Sequence, residues 1–128
     1  MTIEGIVKQT SKVDGDQATI PRVLVVGRVA DAFLPDNAEV TFAHFSTITS
    51  GLLDDVSPDI VISPMLEARF DCLDLASVLH QNGFRGVYSP VLSQTPKPTL
   101  ILAELLAQCP GLDIHLIQTA GVPKHRLN

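Results

Sequence analysis

Short apolar runs rich in valine, isoleucine and leucine constrain the fold of this chain most strongly. Arg22–Gly27 and Asp59–Ser63 are the clearest of these runs, and their composition is typical of strands buried on both faces of a parallel sheet. Glu39–Phe45 lies between them and alternates well enough for a strand, while Gly86–Val91 and Leu112–Gln118 follow them. The pattern therefore predicts five strands.

Segments with helical spacing separate these strands. They are Val29–Leu34, Ser50–Val56, Asp71–Gln81 and Leu100–Gln108. Thr99 is expected to cap the last of them, and Pro64 and Pro90 are expected to end the third and fourth strands. Strands that alternate with helices imply parallel pairing and right-handed crossovers. We therefore predict an α/β, flavodoxin-like, doubly wound sheet of five parallel strands in the order 2-1-3-4-5.

The two ends of the chain carry weaker patterns than its middle. Residues 1–20 are polar and are expected to form an N-terminal arm, either flexible or packed as a hairpin, and residues 21–119 form the α/β domain. The tail, residues 120–128, is short and contains Gly121 and Pro123. Because that tail has no room for a long helix, the fifth helix of the predicted fold is expected to be missing.

Composition narrows the classes of function. The chain has 128 residues, 45% of them hydrophobic, and a net charge of −5, which argues against a nucleic-acid binder because phosphate contacts need a basic face. No apolar stretch reaches the roughly 18–20 residues of a membrane span, and the N-terminus lacks the pattern of a signal peptide. Cys72 and Cys109 are expected to be buried thiols of a cytoplasmic protein.

Motifs that would carry chemistry do not assemble in this sequence. The histidines and cysteines lack the spacing typical of metal ligands. A glycine-rich dinucleotide fingerprint and a Gly-Lys-Ser/Thr phosphate loop are also missing. We therefore expect no cofactor, no metal and no enzymatic activity.

Two segments resemble a known family. Arg22–Gly27 and the sequence Ser-Pro-Asp-Ile-Val-Ile-Ser-Pro, residues 57–64, resemble the first and third strands of response-regulator receiver domains. Together with the order of the elements, the resemblance covers about residues 22–118. It implies a fold of the flavodoxin-like class and a role in signal transduction.

The residues at the receiver's phosphorylation site differ in this chain. The resemblance places Gly27 and Arg28 where receivers carry two acidic residues, and Pro64 where they carry the aspartate that accepts a phosphoryl group. Ser89 matches the family's hydroxyl residue at the end of the fourth strand, and Gln118 replaces its lysine after the fifth. The resemblance therefore implies a degenerate pseudo-receiver without phosphoryl transfer.

A pseudo-receiver of this kind is expected to act as a phosphorylation-independent interaction or regulatory domain. The missing fifth helix would leave apolar surface on the first and third strands uncovered, and such surface usually marks an interface. The N-terminal arm, the C-terminal tail or a second subunit should cover this surface, and we expect an unidentified protein partner or a homodimer. A role that consists only of holding a partner, without regulation, remains an open alternative.

A ligand-binding domain, or an enzyme, is the alternative of a different class. Open α/β sheets bind ligands in the crevice beyond the carboxyl ends of their strands. Arg28 is either a solvated residue or a cation in that crevice, where it would hold an anion with the help of serine hydroxyls. The predicted lining is Gly27, Arg28, Ser46, Ser63, Ser89 and Gln118.

Overall fold

The computed structural model describes residues 20–92 and 97–118, so the predicted arm and tail lie almost wholly outside the described residues. The strands are β1 Arg22–Val26, β2 Glu39–Ala43, β3 Ile60–Pro64, β4 Val87–Leu92, β5 Asp113–Ile114 and β6 Ile117–Gln118. The α-helices in these ranges are α1 Ser50–Val56, α2 Cys72–Gln81 and α3 Pro98–Gln108.

All strand pairs are parallel, and the sheet has the order β2-β1-β3-β4-β5, with β6 also paired to β4. This confirms the predicted flavodoxin-like fold. The predicted fifth strand, Leu112–Gln118, is divided into β5 and β6. β6 ends at the last described residue, so the predicted absence of a fifth helix lies outside the described residues.

Pro90 gives a physical reason for that division. The backbone groups of Val87 and Val91 in β4 point toward β3. The Val87 N–H donates to the Asp59 carbonyl, and the Val91 carbonyl accepts from the Met65 N–H, each at 3.0 Å. The alternate residues of β4 therefore face the fifth strand, where the Tyr88 carbonyl accepts from the His115 N–H. Pro90 has no N–H to donate at the next position. The expectation that Pro90 ends β4 was wrong, since the strand continues to Leu92.

Two of the predicted helices differ from those observed. Val29–Leu34 forms only one 3-10 turn, Asp31–Phe33, since Pro35 follows closely and the segment is too short to hold an α-helix. α3 begins at Pro98, with Lys97 rather than Thr99 at the capping position. Proline is well suited to the first turn because its backbone angle is already helical and the missing N–H needs no partner there.

The start of α2 follows its capping residues. The Asp74 N–H donates to the Asp71 carboxylate at 2.9 Å, and the Asp71 N–H donates to the Asp74 carboxylate at 3.1 Å. This reciprocal pair is a capping box that satisfies two otherwise unpaired donors. The helix ends at Gln81, with Asn82 at the C-cap and Gly83 after it at φ 75°, as the Asn-Gly pair predicts.

The three helices cover the same face of the sheet. Their buried side chains form one cluster with side chains from β1, β3 and β4; its larger members are Leu24, Leu53, Val61, Leu75, Leu79, Tyr88 and Leu105. A second cluster lies on the opposite face, where Val23, Val25 and Ile62 pack with Phe33 and Leu34. No described α-helix contributes to this second cluster.

The prediction of uncovered apolar surface on the first and third strands was wrong. Val23, Val25 and Ile62 are buried within a single chain. The segment 29–38 packs on this face in place of a helix. The expected homodimer therefore needs a different surface.

Both cysteines are free and buried. Burial, with a smaller effect of the Asp71 charge, raises the pKa of the Cys72 thiol from 9.0 to about 11. Burial also raises the pKa of Cys109. Neither thiol is suited to act as a nucleophile, because the reactive form is the thiolate.

The raised pKa of Cys72 predicts a loss of stability at alkaline pH. The unfolded chain releases this proton near pH 9.0, whereas the folded domain holds it until about pH 11. The stabilising contribution is therefore complete below pH 9.0 and is lost as the pH rises toward 11. Urea midpoints measured on both sides of this window should fall less steeply in Cys72→Ala than in the wild type. An equal fall in both proteins would contradict this assignment.

No helix in the described ranges is long and apolar enough to cross a membrane.

Candidate functional site

A cleft of about 400 Å³ lies beyond the carboxyl ends of β1, β2 and β3. Its walls come from the residue after β1, the turn after β2 and the loop between β3 and α2. The lining residues are Gly27, His44, Phe45, Ser46, Glu67, Ala68, Arg69 and Phe70. The cleft thus has the position that the fold predicts for a functional crevice.

The loop between β3 and α2 is held by its own backbone. The Cys72 N–H donates to the Met65 carbonyl and the Glu67 N–H donates to the Phe70 carbonyl, each at 2.8 Å. Phe70 also stacks on Phe45 from the turn after β2, with ring centroids 4.8 Å apart and planes inclined by 8°. These contacts hold the loop in place at Glu67.

The Glu67 carboxylate lies beside the end of β1. Its Oε2 accepts a hydrogen bond of 2.8 Å from the Arg28 backbone N–H. Gly27 adopts φ 89°, and a Cβ atom there would lie 3.1 Å from Glu67 Cγ, from Glu67 Oε2 and from Pro64 Cδ. The chain therefore needs glycine at position 27 both for its backbone angle and for the close approach of Glu67.

The residues at the three degenerate receiver positions after β1 and β3 come together. Pro64 is the last residue of β3, and its ring lies next to Gly27. Gly27 is followed by Arg28, whose side chain is exposed while its N–H is bound to Glu67. The ends of β1 and β3 are therefore in contact, and the Glu67 carboxylate binds the backbone beside them.

The other two receiver positions lie elsewhere. Ser89 is the third of six residues in β4 and is buried, so the expectation that it ends the strand was wrong. The reason is that β4 continues through Pro90 to Leu92. Gln118 is exposed at the end of β6, on the outer strand of the sheet.

The predicted crevice serines are also separated. Ser46 lines the cleft. Ser63 is fully buried, and its hydroxyl donates to the Pro64 carbonyl at 3.0 Å and lies 2.6 Å from the Tyr88 hydroxyl. Arg28 lines a separate, open hollow with Val29, Ala30 and Phe42. The predicted set is therefore not one site.

Glu67, His44 and Arg69 are the polar cleft residues that the sequence did not identify. Their positions depend on two loops whose conformations no strand or helix pattern reveals. A usable signal is the isolated glycine at the end of β1, since a glycine at such a place indicates close approach of another group. The sequence does not tell which group approaches.

The site does not fit the magnesium ion that a receiver fold implies. Mg²⁺ takes six oxygen ligands and is held in proteins by carboxylates. Gly27, Arg28 and Pro64 offer no side-chain oxygen, and the Glu67 carboxylate already accepts the Arg28 N–H. Within residues 20–92 and 97–118, no group of three or more His, Cys, Asp or Glu side chains is placed to hold a metal.

Below the cleft, Tyr88 and Ser63 form a buried polar pair. The Ser63 hydroxyl proton is directed to the Pro64 carbonyl, so Tyr88 donates to the Ser63 oxygen. Burial raises the pKa of Tyr88 well above its usual range. Tyr88 is therefore neutral at physiological pH and acts as a donor that holds the end of β3 against β4.

This pair predicts an asymmetric mutational result. Ser63→Ala leaves the buried Tyr88 hydroxyl without its acceptor and should cost about 1–3 kcal/mol. Tyr88→Phe removes that hydroxyl while Ser63 keeps its bond to Pro64, and should cost only about 1 kcal/mol. Chemical denaturation measures both values. A larger loss in Tyr88→Phe than in Ser63→Ala would contradict the assigned direction of the bond.

Comparison with known proteins supports the fold assignment. The structure is similar to the crystal structure of the signal receiver domain of a putative LuxO repressor protein from Vibrio parahaemolyticus, with a TM-score of 0.53 and 12% sequence identity. The similarity covers 85% of each chain. No protein-family model and no curated protein matches the sequence. The chain therefore has the fold of a response-regulator receiver domain.

Proposed function

We propose that this domain is a pseudo-receiver, a phosphorylation-independent interaction domain for signalling. The observation that carries the proposal is the site itself. Pro64 ends β3 where a receiver needs its aspartate, and the Glu67 carboxylate is bound to the Arg28 N–H beside it. A receiver fold with this site lacks the aspartate that accepts a phosphoryl group. It has a fixed carboxylate where a receiver gathers its charged groups.

Binding to a protein partner fits the exposed surface of α3. Leu100 and Leu106 are 55% and 45% exposed, and Ala103 and Ala107 are exposed between and beside them. Only Leu105 of this helix is fully buried. Exposed apolar surface on one helix favours contact with another protein. The net charge of −5 favours a protein partner over nucleic acid, and we place this binding, without catalysis, in the cytoplasm.

Site-specific photocrosslinking in the native cell tests this interaction surface. A photoreactive residue at position 106 should give one discrete adduct, whereas the same residue at Asp55, exposed on α1, should not. The adduct should form to the same extent with and without a phosphodonor. Equal labelling from both positions, or an adduct that depends on the phosphodonor, would count against the proposal.

A small anionic ligand in the cleft is the second candidate. The cleft brings the exposed side chains of Arg69 and His44 together with Ser46. In the described part of the chain, the Arg69 guanidinium has no ion-pair partner. These groups suit an anion, although Glu67 opposes one.

Thermal shift with inorganic phosphate tests this second candidate. Saturable stabilisation that disappears in Arg69→Ala and persists in Arg28→Ala would support binding in the cleft, since only Arg69 lines it. Arg28→Ala also tests the prediction from the sequence that Arg28 holds the anion. Unchanged melting at all phosphate concentrations would exclude phosphate as the ligand.

A further inference from the structure

The outer edge of β2 carries backbone groups without a strand partner among the described residues. In residues 20–92 and 97–118, the one strand that pairs with β2 is β1. The Glu39 N–H donates to the Pro21 carbonyl at 2.8 Å, so the backbone N–H and C=O groups of the odd-numbered residues of β2 point toward β1. In a parallel ladder the intervening residues face the other way. The N–H and C=O groups of Val40 and Phe42 therefore point out of the sheet.

This edge lacks the features that normally prevent strand pairing. Natural edge strands are usually protected by proline, lysine, a bulge or an inward-pointing charge. β2 has the sequence Glu-Val-Thr-Phe-Ala, and its one charge, Glu39, lies 3.6 Å from Arg22 of β1. Phe42 is 67% exposed. Within the described part of the chain, the last four residues of β2 are therefore open to pairing on their outer side.

We propose that β2 pairs with β2 of a second copy, antiparallel and centred on Thr41, to form a continuous sheet across a two-fold axis. In this register Val40 of one copy is opposite Phe42 of the other. Both residues point outward, so each such pair exchanges two N–H···O=C bonds. The symmetric arrangement thus uses every outward-facing backbone group of Val40 and Phe42.

The side chains favour a second copy as the partner. Val40 and Phe42 lie on the same face of β2, since they are two residues apart, so Phe42 would cover Val40 of the partner across the axis. An aromatic residue beside a β-branched residue is a favourable cross-strand pair. Glu39 would face Ala43 of the other copy, so no like charges oppose each other.

This inference is independent of the proposed partner surface on α3. It concerns the opposite end of the strand order, where the edge of the sheet rather than a helix is involved. Partner binding by α3 and pairing of β2 can therefore fail separately. The pairing gives the homodimer an interface at the edge of β2, so it does not need exposed apolar surface on β1 and β3.

Sedimentation of the full chain over a concentration series tests the proposal. The wild type should form a dimer, and Phe42→Lys should weaken the dimer by at least about tenfold because the added charge lies in the new interface. Leu66→Lys is a matched control, since Leu66 is apolar and 69% exposed but belongs to the loop between β3 and α2 rather than to the β2 edge. It should leave the dimer unchanged. Melting temperatures of all three proteins establish that each is folded.

Hydrogen exchange of single amides separates the possible occupants of the edge. In the proposed dimer, the Val40 and Phe42 amides are protected at high concentration and exchange faster on dilution. Protection that does not change with concentration in a monomer would overturn the proposal and assign the edge to another segment of the same chain. A wild type that stays monomeric with both amides unprotected would also overturn it. So would a dimer that Phe42→Lys does not weaken.

Discussion

Gly86→Ala is expected to destabilise the domain by about 2–3 kcal/mol, within the range of overpacking substitutions. A Cβ atom at this position would lie 2.4 Å from the Asp59 carbonyl oxygen and 2.7 Å from Phe84 Cζ. The carbonyl cannot easily move away, because it accepts the Val87 N–H at 3.0 Å. The new methyl group would therefore push β4 away from β3 at the start of their pairing. Urea denaturation gives the loss directly.

Gly51→Ala is the matched control for this prediction. Gly51 lies in α1, and the nearest atom to an added Cβ is Thr49 Oγ1 at an ordinary 3.7 Å. Alanine is the better helix residue by about 0.5–1 kcal/mol, so this variant should be slightly more stable than the wild type. The two changes add the same methyl group and should have opposite signs. Similar losses in both variants would show that the β3–β4 contact is not the cause.

Gly27→Ala is expected to destabilise the domain by about 2–3 kcal/mol, because the left-handed backbone angle and the crowding by neighbouring atoms both disfavour a side chain there. Comparison with a second glycine separates these two effects. Gly27 has φ 89° and three heavy atoms at 3.1 Å from an added Cβ, whereas Gly111 has φ 93° and nothing within 4 Å. Gly111→Ala should therefore cost only the left-handed backbone conformation, about 1–2 kcal/mol. The difference between the two variants measures the crowding against Glu67 and Pro64.

A double-mutant cycle assigns that crowding to the carboxylate side chain. Glu67→Ala removes two of the three atoms that an added Cβ at position 27 would meet. Gly27→Ala should then cost less in the Glu67→Ala background than in the wild type, and urea denaturation of the four proteins gives the coupling. Strict additivity of the two changes would contradict the described contact between β1 and the loop after β3.

The sheet was predictable because its residues report directly on burial. Arg22–Gly27 and Asp59–Ser63 are apolar and β-branched, and they form β1 and β3 with at most one residue of difference at each end. The alternation of strands and helices then predicted parallel pairing, and the order 2-1-3-4-5 came from the fit of five such strands to a flavodoxin-like sheet. The roles of two prolines were predicted wrongly: Pro90 lies inside β4 instead of stopping it, and Pro98 begins α3 two residues before the predicted start. Composition and periodicity do not distinguish a proline that ends an element from one that lies within it.

The site was predictable only where it lies at a strand end. Gly27 and Pro64 lie side by side because parallel strands end at one edge. Glu67 was not found, since its position depends on a loop fixed by backbone bonds and by the Phe45–Phe70 stack. Ser63 was assigned to the crevice although it is buried against Tyr88. The side of a strand on which a short polar residue lies depends on the register, which residue type alone does not reveal.

We expect that this receiver fold does not accept a phosphoryl group, and the intact mass of the protein shows whether it does. The full chain is incubated with acetyl phosphate and Mg²⁺, beside a receiver domain with an intact aspartate as a positive control. The predicted result is an unchanged mass for this chain and a phosphorylated fraction for the control. A phosphoryl adduct on any aspartate or glutamate of this chain, Glu67 included, would contradict the claim.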